Sequence, residues 1–397
     1  MNNKILDTAV QEYIRDNQHA DVHQIAMAKS QFPGITGPEL ANQIAAKKKC
    51  IKKLPAWYRT AGIYYPPLLS VEQCSSEITA AYKAKLASGN TLIDITGGYG
   101  VDSYYFSQTN NSVIHCEIND ELSAIACHNA PLLGQENTRF IADDGIKILR
   151  ESPQTYDTIF IDPARRSSSG KVFMLKDCTP DVTENLELLL SRAKRILIKT
   201  APLLDLSAGL KELAHVAQIH IVSVKNECKE LIWIVEHSFS GKPKIISTTL
   251  NGQEKEFSFI KDEEEIKAVA QISLTGPKAG QYLYEPDVAL LKSGAFNLIA
   301  ERYHLQKLDN QTQLYVSDAI NTSFPGRIFK IDQVLSAGDL KKEKNLTASV
   351  IVRNYPAQAA ALVKKFHIIP NAASFMIFTQ SNMLGKIVLK ATIIQHY

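Results

Sequence analysis

Paired cysteines, long apolar runs and an excess of charge of one sign are all missing from this 397-residue sequence. The six cysteines (Cys50, Cys74, Cys116, Cys127, Cys178 and Cys228) are scattered, with no Cys-x-x-Cys spacing. That argues against a zinc or disulfide framework and leads us to expect reduced thiols in a cytoplasmic protein. No stretch approaches the roughly 18 uncharged apolar residues a membrane span needs. No apolar core stands behind a basic N-terminal start, so no secretory signal is expected. Lys and Arg number 44 against 41 Asp and Glu, a formal net charge of +3. Bulk charge therefore does not announce a nucleic-acid partner. Repeats and low-complexity tracts are absent, and nothing sets an oligomeric state.

What remains is an ordinary globular composition, 45% apolar and 21% charged, in a length suited to two or three domains. Residues 1–72 read as an N-terminal helical region. Its apolar stripes are Leu6/Val10/Tyr13/Ile14, Ile25/Ala28 and Leu40/Ile44/Ile51, punctuated by Pro33-Gly34 and Gly37-Pro38. A basic run, Lys47, Lys48, Lys49, Lys52 and Lys53, reads as a solvated helix face. Trp57 and Tyr58 follow it, placed to pack on the next domain or to stack on bases.

Residues 73–240 alternate strand and helix. Strands are expected at 91–96, 112–118, 138–142, 158–161, 195–200, 219–224 and 231–236. The last two lie too close for a crossover helix and should pair antiparallel. The expected fold is α/β, a doubly wound seven-stranded sheet with a terminal antiparallel hairpin. In 241–323, strands at 244–250 and 254–260 flank Asn251-Gly252, a strong hairpin signal. Asp262-Glu263-Glu264-Glu265 favours a helix start, and a second helix is expected near 286–303. Residues 324–397 read strand, strand, helix, strand, strand, which suggests a small α+β domain with one sheet face open.

The most informative stretch is 91–102, Thr-Leu-Ile-Asp-Ile-Thr-Gly-Gly-Tyr-Gly-Val-Asp. A strand carrying Asp94 breaks through Thr96, Gly97, Gly98 and Gly100 into a helix start at Asp102, the place where α/β sheets bind small ligands. A carboxylate inside that strand suits a positively charged ligand and would repel a dinucleotide pyrophosphate. Glu117, ending the second strand, can take a bidentate bond from ribose hydroxyls. Asp143-Asp144-Gly145 follow the third strand and can accept from an adenine amine. Asp162-Pro163-Ala164-Arg165-Arg166 follow the fourth. Each has a plainer role: a tight turn, a surface acid, or a cap for the helix beginning near Ile146. Acids in register at successive strand ends are poorly explained by caps alone.

This ordered set, with its terminal hairpin, resembles class I S-adenosylmethionine-dependent methyltransferases over about residues 73–237. Gln73-Cys74-Ser75-Ser76-Glu77, Asp162 to Arg166 and Leu197-Ile198-Lys199-Thr200-Ala201-Pro202 resemble, more narrowly, a bacterial group carrying a ferredoxin-like segment and a THUMP-like domain. Residues 275–320 and 324–397 match those parts in order and size. The resemblance implies S-adenosylmethionine as cofactor and no metal. Gly97, Gly98 and Gly100, with Thr96 and Asp102, would let backbone approach the methionine moiety. Asp94 would sit near its ammonium, Glu117 on the ribose, and Asp144, or else Asp143, on the adenine amine. Asp162 would lie beside the transferred methyl, with Pro163, Arg165 and Arg166 completing the catalytic segment.

One departure bears on the acceptor. Base-amine methyltransferases commonly show a second proline and an aromatic where this chain has Ala164 and Arg165. Arg165 and Arg166 can clamp a phosphate or carboxylate, stack, or pair with Glu117 or another site acid. Cys178 is the cysteine best placed for covalent catalysis, and a core thiol is its plainer role. Lys199 can face the acceptor or snorkel at the rim. The basic 324–397 segment leads us to expect an RNA substrate, tRNA or rRNA. Rival readings are a non-catalytic RNA-binding protein and a methyltransferase for small molecules or proteins.

Overall fold

A computed structural model describes residues 1–165, 174–263, 272–343 and 345–397. The chain forms two compact units, Met1–Ala217 with Ile232–Gly241, and Gln218–Leu231 with Lys242–Tyr397.

The first unit opens with helices α1 (Thr8–Asp16), α2 (Val22–Met27), α3 (Gly37–Lys53), α4 (Pro55–Arg59), α5 (Leu68–Gln73) and α6 (Glu77–Leu86). A capping box starts α3. The Thr36 hydroxyl accepts from the Glu39 N–H, and Glu39 accepts from the Thr36 N–H at 2.7 Å. Leu54 and Pro55 end it. Leu40, Ile44, Cys50 and Trp57 bury together with Tyr99, Val101 and Ile125 of the sheet domain in one cluster. The expected boundary at 72/73 is therefore not a break in packing. Ile51, expected in the core, is 40% exposed; Cys50 and Leu54 take the inward positions instead.

The strands that follow are β1 (Thr91–Asp94), β2 (Ser112–Cys116), β3 (Thr138–Ile141), β4 (Tyr156–Ile161), β7 (Ala193–Thr200), β8 (Val216–Val224) and β9 (Glu227–Glu236). A short ladder joins β5 (Ala164–Arg165) to β6 (Cys178–Thr179). Helices α7 (Val101–Ser107), α8 (Asp120–Leu132), α9 (Gly145–Glu151), α10 (Val182–Arg192) and α11 (Leu206–Glu212) intervene. The sheet order is β3-β2-β1-β4-β7-β9-β8, with β1 parallel to both β2 and β4, and β4 parallel to β7. The terminal hairpin is tighter than expected. Only Lys225 and Asn226 turn it, at φ of 51° and 57°, so both strands extend towards the turn.

In the second unit, β10 (Lys244–Asn251) pairs parallel to β8, and β11 (Gln253–Ile260) pairs antiparallel to β10. The sheet thus has nine strands rather than seven. The proposed acidic helix start at 262–265 lies partly outside the described residues. A seven-stranded sheet follows, in the order β13-β14-β12-β15-β18-β17-β16. Its strands are β12 (Tyr282–Pro286), β13 (Gln306–Asp309), β14 (Thr312–Ser317), β15 (Gly326–Leu335), β16 (Ser349–Val352), β17 (Ser374–Ser381) and β18 (Gly385–Gln395). The single helix expected near 286–303 is two, Val288–Ser293 and Phe296–Arg302, broken at Gly294 with φ of 77°.

Because β12 pairs with β15, this sheet crosses the expected boundary at 323/324. Nor is one face open. Phe375 and Ile377 point into one cluster with Leu283, Leu308 and Val316, while Met376 and Phe378 meet Leu362 and Leu340 on the other face. The sheet also curls. The Asn382 N–H reaches Leu308 O at 2.8 Å, and Asn354 Nδ2 reaches Thr312 Oγ1 at 2.9 Å. These bonds tie strands from opposite ends of the sheet order, and the curl hides the face that was expected to be open.

Candidate active site

The turn after β1 is held from three sides. Asp94 is fully buried; its carboxyl accepts from the Thr96 N–H at 3.1 Å and the Ser103 hydroxyl at 2.7 Å. Burial above all, with Asp102 and Asp162 adding negative charge nearby, pushes Asp94 up to about 8. Beneath the turn the His115 ring approaches Gly98 O at 3.3 Å. Its burial lowers it to about 4, so the ring is neutral. A Cβ on Gly97 would stand 2.3 Å from His115 Nε2, which is why no side chain fits there. A Cβ on Gly98 would meet nothing nearer than Thr96 O at 3.9 Å. The turn is packed below and open above.

Glu117 closes the turn. Its carboxylate accepts from the Gly98 N–H and the Asn119 N–H, each at 2.8 Å. The next residue, Ile118, is 72% exposed. Asp144 caps α9 by accepting from the Ile146 N–H at 2.8 Å, while Asp143 pairs with Lys147 at 2.7 Å. That bond holds Asp143 below its usual carboxylate range. Both acids after β3 therefore already serve locally. Gly145 lets α9 approach, since a Cβ there would stand 2.6 Å from Ile95 O.

On the other side of β1, the Thr96 hydroxyl accepts from the Asp162 N–H at 2.7 Å, joining the β1 and β4 turns. Lys199 Nζ donates to Asp162 Oδ2 at 2.5 Å, so Lys199 faces the acid expected beside the reacting group. Pro163 is buried and Arg165 is exposed on the β5 ladder; Arg166 lies outside the described residues. Cys178 is a core thiol that burial pushes up to about 11, the reverse of an activated nucleophile. Trp57 packs against Tyr99 and Tyr104 rather than facing a base.

Several participants escaped the sequence reading. Lys83 is fully buried in α6, 3.1 Å from Asp102 Oδ1 and 2.9 Å from Ser75 Oγ, while Ser75 donates to Asp102 Oδ2 at 2.7 Å. Ser103, His115 and Ile118 are the others. Ile118 had a legible signal, an apolar residue directly after a strand-end acid. A buried lysine has none, because residue type alone predicts exposure.

The site suits S-adenosylmethionine. An open glycine turn, a half-buried carboxylate at Glu117 and an exposed apolar side chain at Ile118 lie together there, with buried acids beside them.

Comparison with known proteins supports this. A ferredoxin-like domain family matches residues 282–325, the segment that holds β12, the broken helix and β13–β14. An uncharacterized S-adenosylmethionine-dependent methyltransferase of Mycobacterium tuberculosis CDC 1551 is 22% identical over 306 residues, 75% of this chain and 80% of that protein. The counterpart in strain H37Rv matches to the same extent. The crystal structure of a Porphyromonas gingivalis W83 protein described as a methyltransferase superposes with a TM-score of 0.86 at 28% identity, over 99% of both chains. The fold and these relatives make the chain a methyltransferase dependent on S-adenosylmethionine. Its likeness to the Porphyromonas protein runs the full length of both chains, ferredoxin-like segment included.

Proposed function

We propose that this methyltransferase acts on RNA, tRNA or rRNA, held by residues 324–397 as a THUMP-like docking module. The observation that carries the reading is charge. That segment has ten Lys and Arg against Asp332, Asp339 and Glu343. Among the described residues, Lys330, Lys341, Lys364, Lys365 and Lys386 make no ion pair, whereas Lys342 and Lys390 do. Unpaired surface lysines supply phosphate contacts that need no particular sequence.

In this reading Gly97, Gly98 and Gly100 admit the methionine moiety, with Thr96 and Asp102 holding the turn's two flanks. Asp94 faces the ammonium. Glu117 takes the ribose through its free lone pairs, and Asp144, or else Asp143, takes the adenine amine. Ile118 covers the ring. S-adenosylmethionine bound there supplies a methyl group already activated by its sulfonium. The protein's task is then to align an acceptor lone pair. Asp162, anchored through Oδ2 by Lys199, keeps Oδ1 to orient an acceptor N–H or O–H and take its proton. Pro163 fixes that segment, and Arg165 supplies charge for the acceptor's phosphate, a role that Arg166 shares by sequence position.

Mass spectrometry of nucleosides from a strain lacking the protein tests the proposal. One methylated nucleoside should vanish and return with the wild-type gene but not with Asp162→Ala. An unchanged profile in both tRNA and rRNA overturns it.

A further inference from the structure

The last two turns of α3 carry five lysines, Lys47, Lys48, Lys49, Lys52 and Lys53. Their surroundings differ. Lys47 lies over the Tyr58 ring, 5.7 Å from its centre. Lys49 pairs with Glu72 Oε1 at 2.9 Å, and Lys53 donates to Glu72 O at 2.5 Å. Lys48 and Lys52 are exposed, with no ion pair among the described residues. The other nearby carboxylate, Glu77, is engaged by the Ala56 N–H at 2.5 Å. A helix C-terminus favours cations, but its partial charge of about −0.5 balances only a fraction of five lysines.

The position of this excess charge is informative. Lys53 is half-buried beside Cys74, and burial lowers its pKa, with the positive charge of Lys199 contributing. Lys199 is the residue that holds Asp162. Geometry makes the same link: Lys49 and Lys53 are both bonded to Glu72, and three residues further on Ser75 donates to Asp102 at the start of the helix after the glycine turn, at 2.7 Å. Two i, i+4 pairs, Lys48/Lys52 and Lys49/Lys53, root their side chains about 6 Å apart along the helix, a spacing that lets neighbours reach successive phosphates.

We propose that the C-terminal turns of α3 bind the sugar-phosphate backbone of the RNA substrate beside the target nucleotide, through Lys48, Lys49, Lys52 and Lys53. This rests on the RNA reading above and adds a docking site in the catalytic unit itself. An acidic protein partner is disfavoured. Lysines repeating at i, i+4 along one helix match the regular charge spacing of a phosphodiester chain, which the irregular carboxylates of a folded protein do not.

The test is fluorescence anisotropy of bulk tRNA and of rRNA fragments, prepared from a strain lacking the protein, titrated with full-length protein between about 50 and 200 mM KCl. Wild type is compared with Lys48→Gln/Lys52→Gln, which alters exposed positions only. The double variant should lower the slope of log Kobs against log [salt] by about 1.5 and weaken binding about tenfold at low salt. Its calorimetric affinity for S-adenosylmethionine should be unchanged. A variant slope equal to wild type overturns the inference and leaves the RNA reading intact. A wild-type protein with no salt slope on either RNA overturns both. Lost cofactor affinity in the variant also counts against the inference, since the lysines would then be supporting the cofactor turn. Lys48→Arg/Lys52→Arg should restore the slope.

Discussion

The two units hold their carboxylates in different ways. In the first, three strand-end carboxylates accept from nearby turn and helix-start donors, Asp94 from Thr96 and Ser103, Glu117 from Gly98 and Asn119, and Asp144 from Ile146, while Asp162 is held by Lys199. The acids sit in one local framework and can present remaining lone pairs to a ligand. In the second, the buried Glu285 lies between two arginines, with Arg327 Nη2 on Oε2 at 2.5 Å and Arg353 Nη2 on Oε1 at 2.6 Å. There the charge clasps distant strands together, while Lys330, Lys341, Lys364, Lys365 and Lys386 stay free of ion pairs among the described residues. The first arrangement leaves lone pairs open to a ligand, whereas the second uses both carboxylate oxygens to join strands.

The largest expected effect sharpens this contrast at its chemical end. Asp162→Ala should slow methyl incorporation into the proposed RNA acceptor by about 10²-fold or more in single-turnover assays, with cofactor affinity retained. An unaltered rate would remove Asp162 from the chemistry.

Next comes Asp94. Its folded value of about 8 lies above the ordinary 3.8, so between those pH values the native state holds a proton that the unfolded chain releases. Stability therefore falls as pH rises from about 4 to 8. Asp94→Asn should stabilise the cofactor-free protein by on the order of 3 kcal/mol at pH 8 and by almost nothing near pH 4, as read from urea midpoints. A gain independent of pH would contradict the burial argument. The same variant should weaken cofactor binding, because an amide cannot take the charge that an ammonium favours.

Glu285→Gln should cost about 2 kcal/mol, below the range for fully buried pairs because the Arg353 side chain is 41% exposed. The loss should appear in the unfolding of the second unit and leave cofactor affinity untouched. If both change together, the scaffold role is wrong.

The smallest effects separate two adjacent glycines. Gly97→Ala drives a methyl into His115 and should destabilise by about 2 kcal/mol. Gly98→Ala meets no neighbour and bears only the strain of φ 55°, about 1 kcal/mol. Its larger effect should be on cofactor affinity, since its open face is where the proposed site admits the methionine moiety. Equal stability losses measured in urea would mean that His115 yields.

These contrasts explain what the sequence made legible. The Asp94 to Asp102 stretch, Glu117 and Asp162 were readable because each lies within a few residues of a strand end, where a short motif and a period-two run coincide. The terminal hairpin was readable from spacing alone. The curled sheet was not. Its closure depends on contacts such as Asn382 to Leu308 and Arg353 to Glu285, between residues far apart in the chain, and no local pattern encodes them. Strands β13 and β14 were missed because Lys307, Asp309 and Thr312 are polar yet buried, which spoils the alternation. Lys83 was invisible for the same reason.

The hairpin of β8 and β9 carries a further consequence. Its outer part, Gln218–Leu231, groups with the second unit, and the chain returns to the first at Ile232 before leaving again after Gly241. Cutting the polypeptide once cannot free either body whole. On the ribosome, the first unit lacks its last strand until residue 236 has emerged, and the second lacks partners for β8 until β10 follows. Limited proteolysis should therefore nick this enzyme without separating it, and expression of either half alone should yield insoluble fragments.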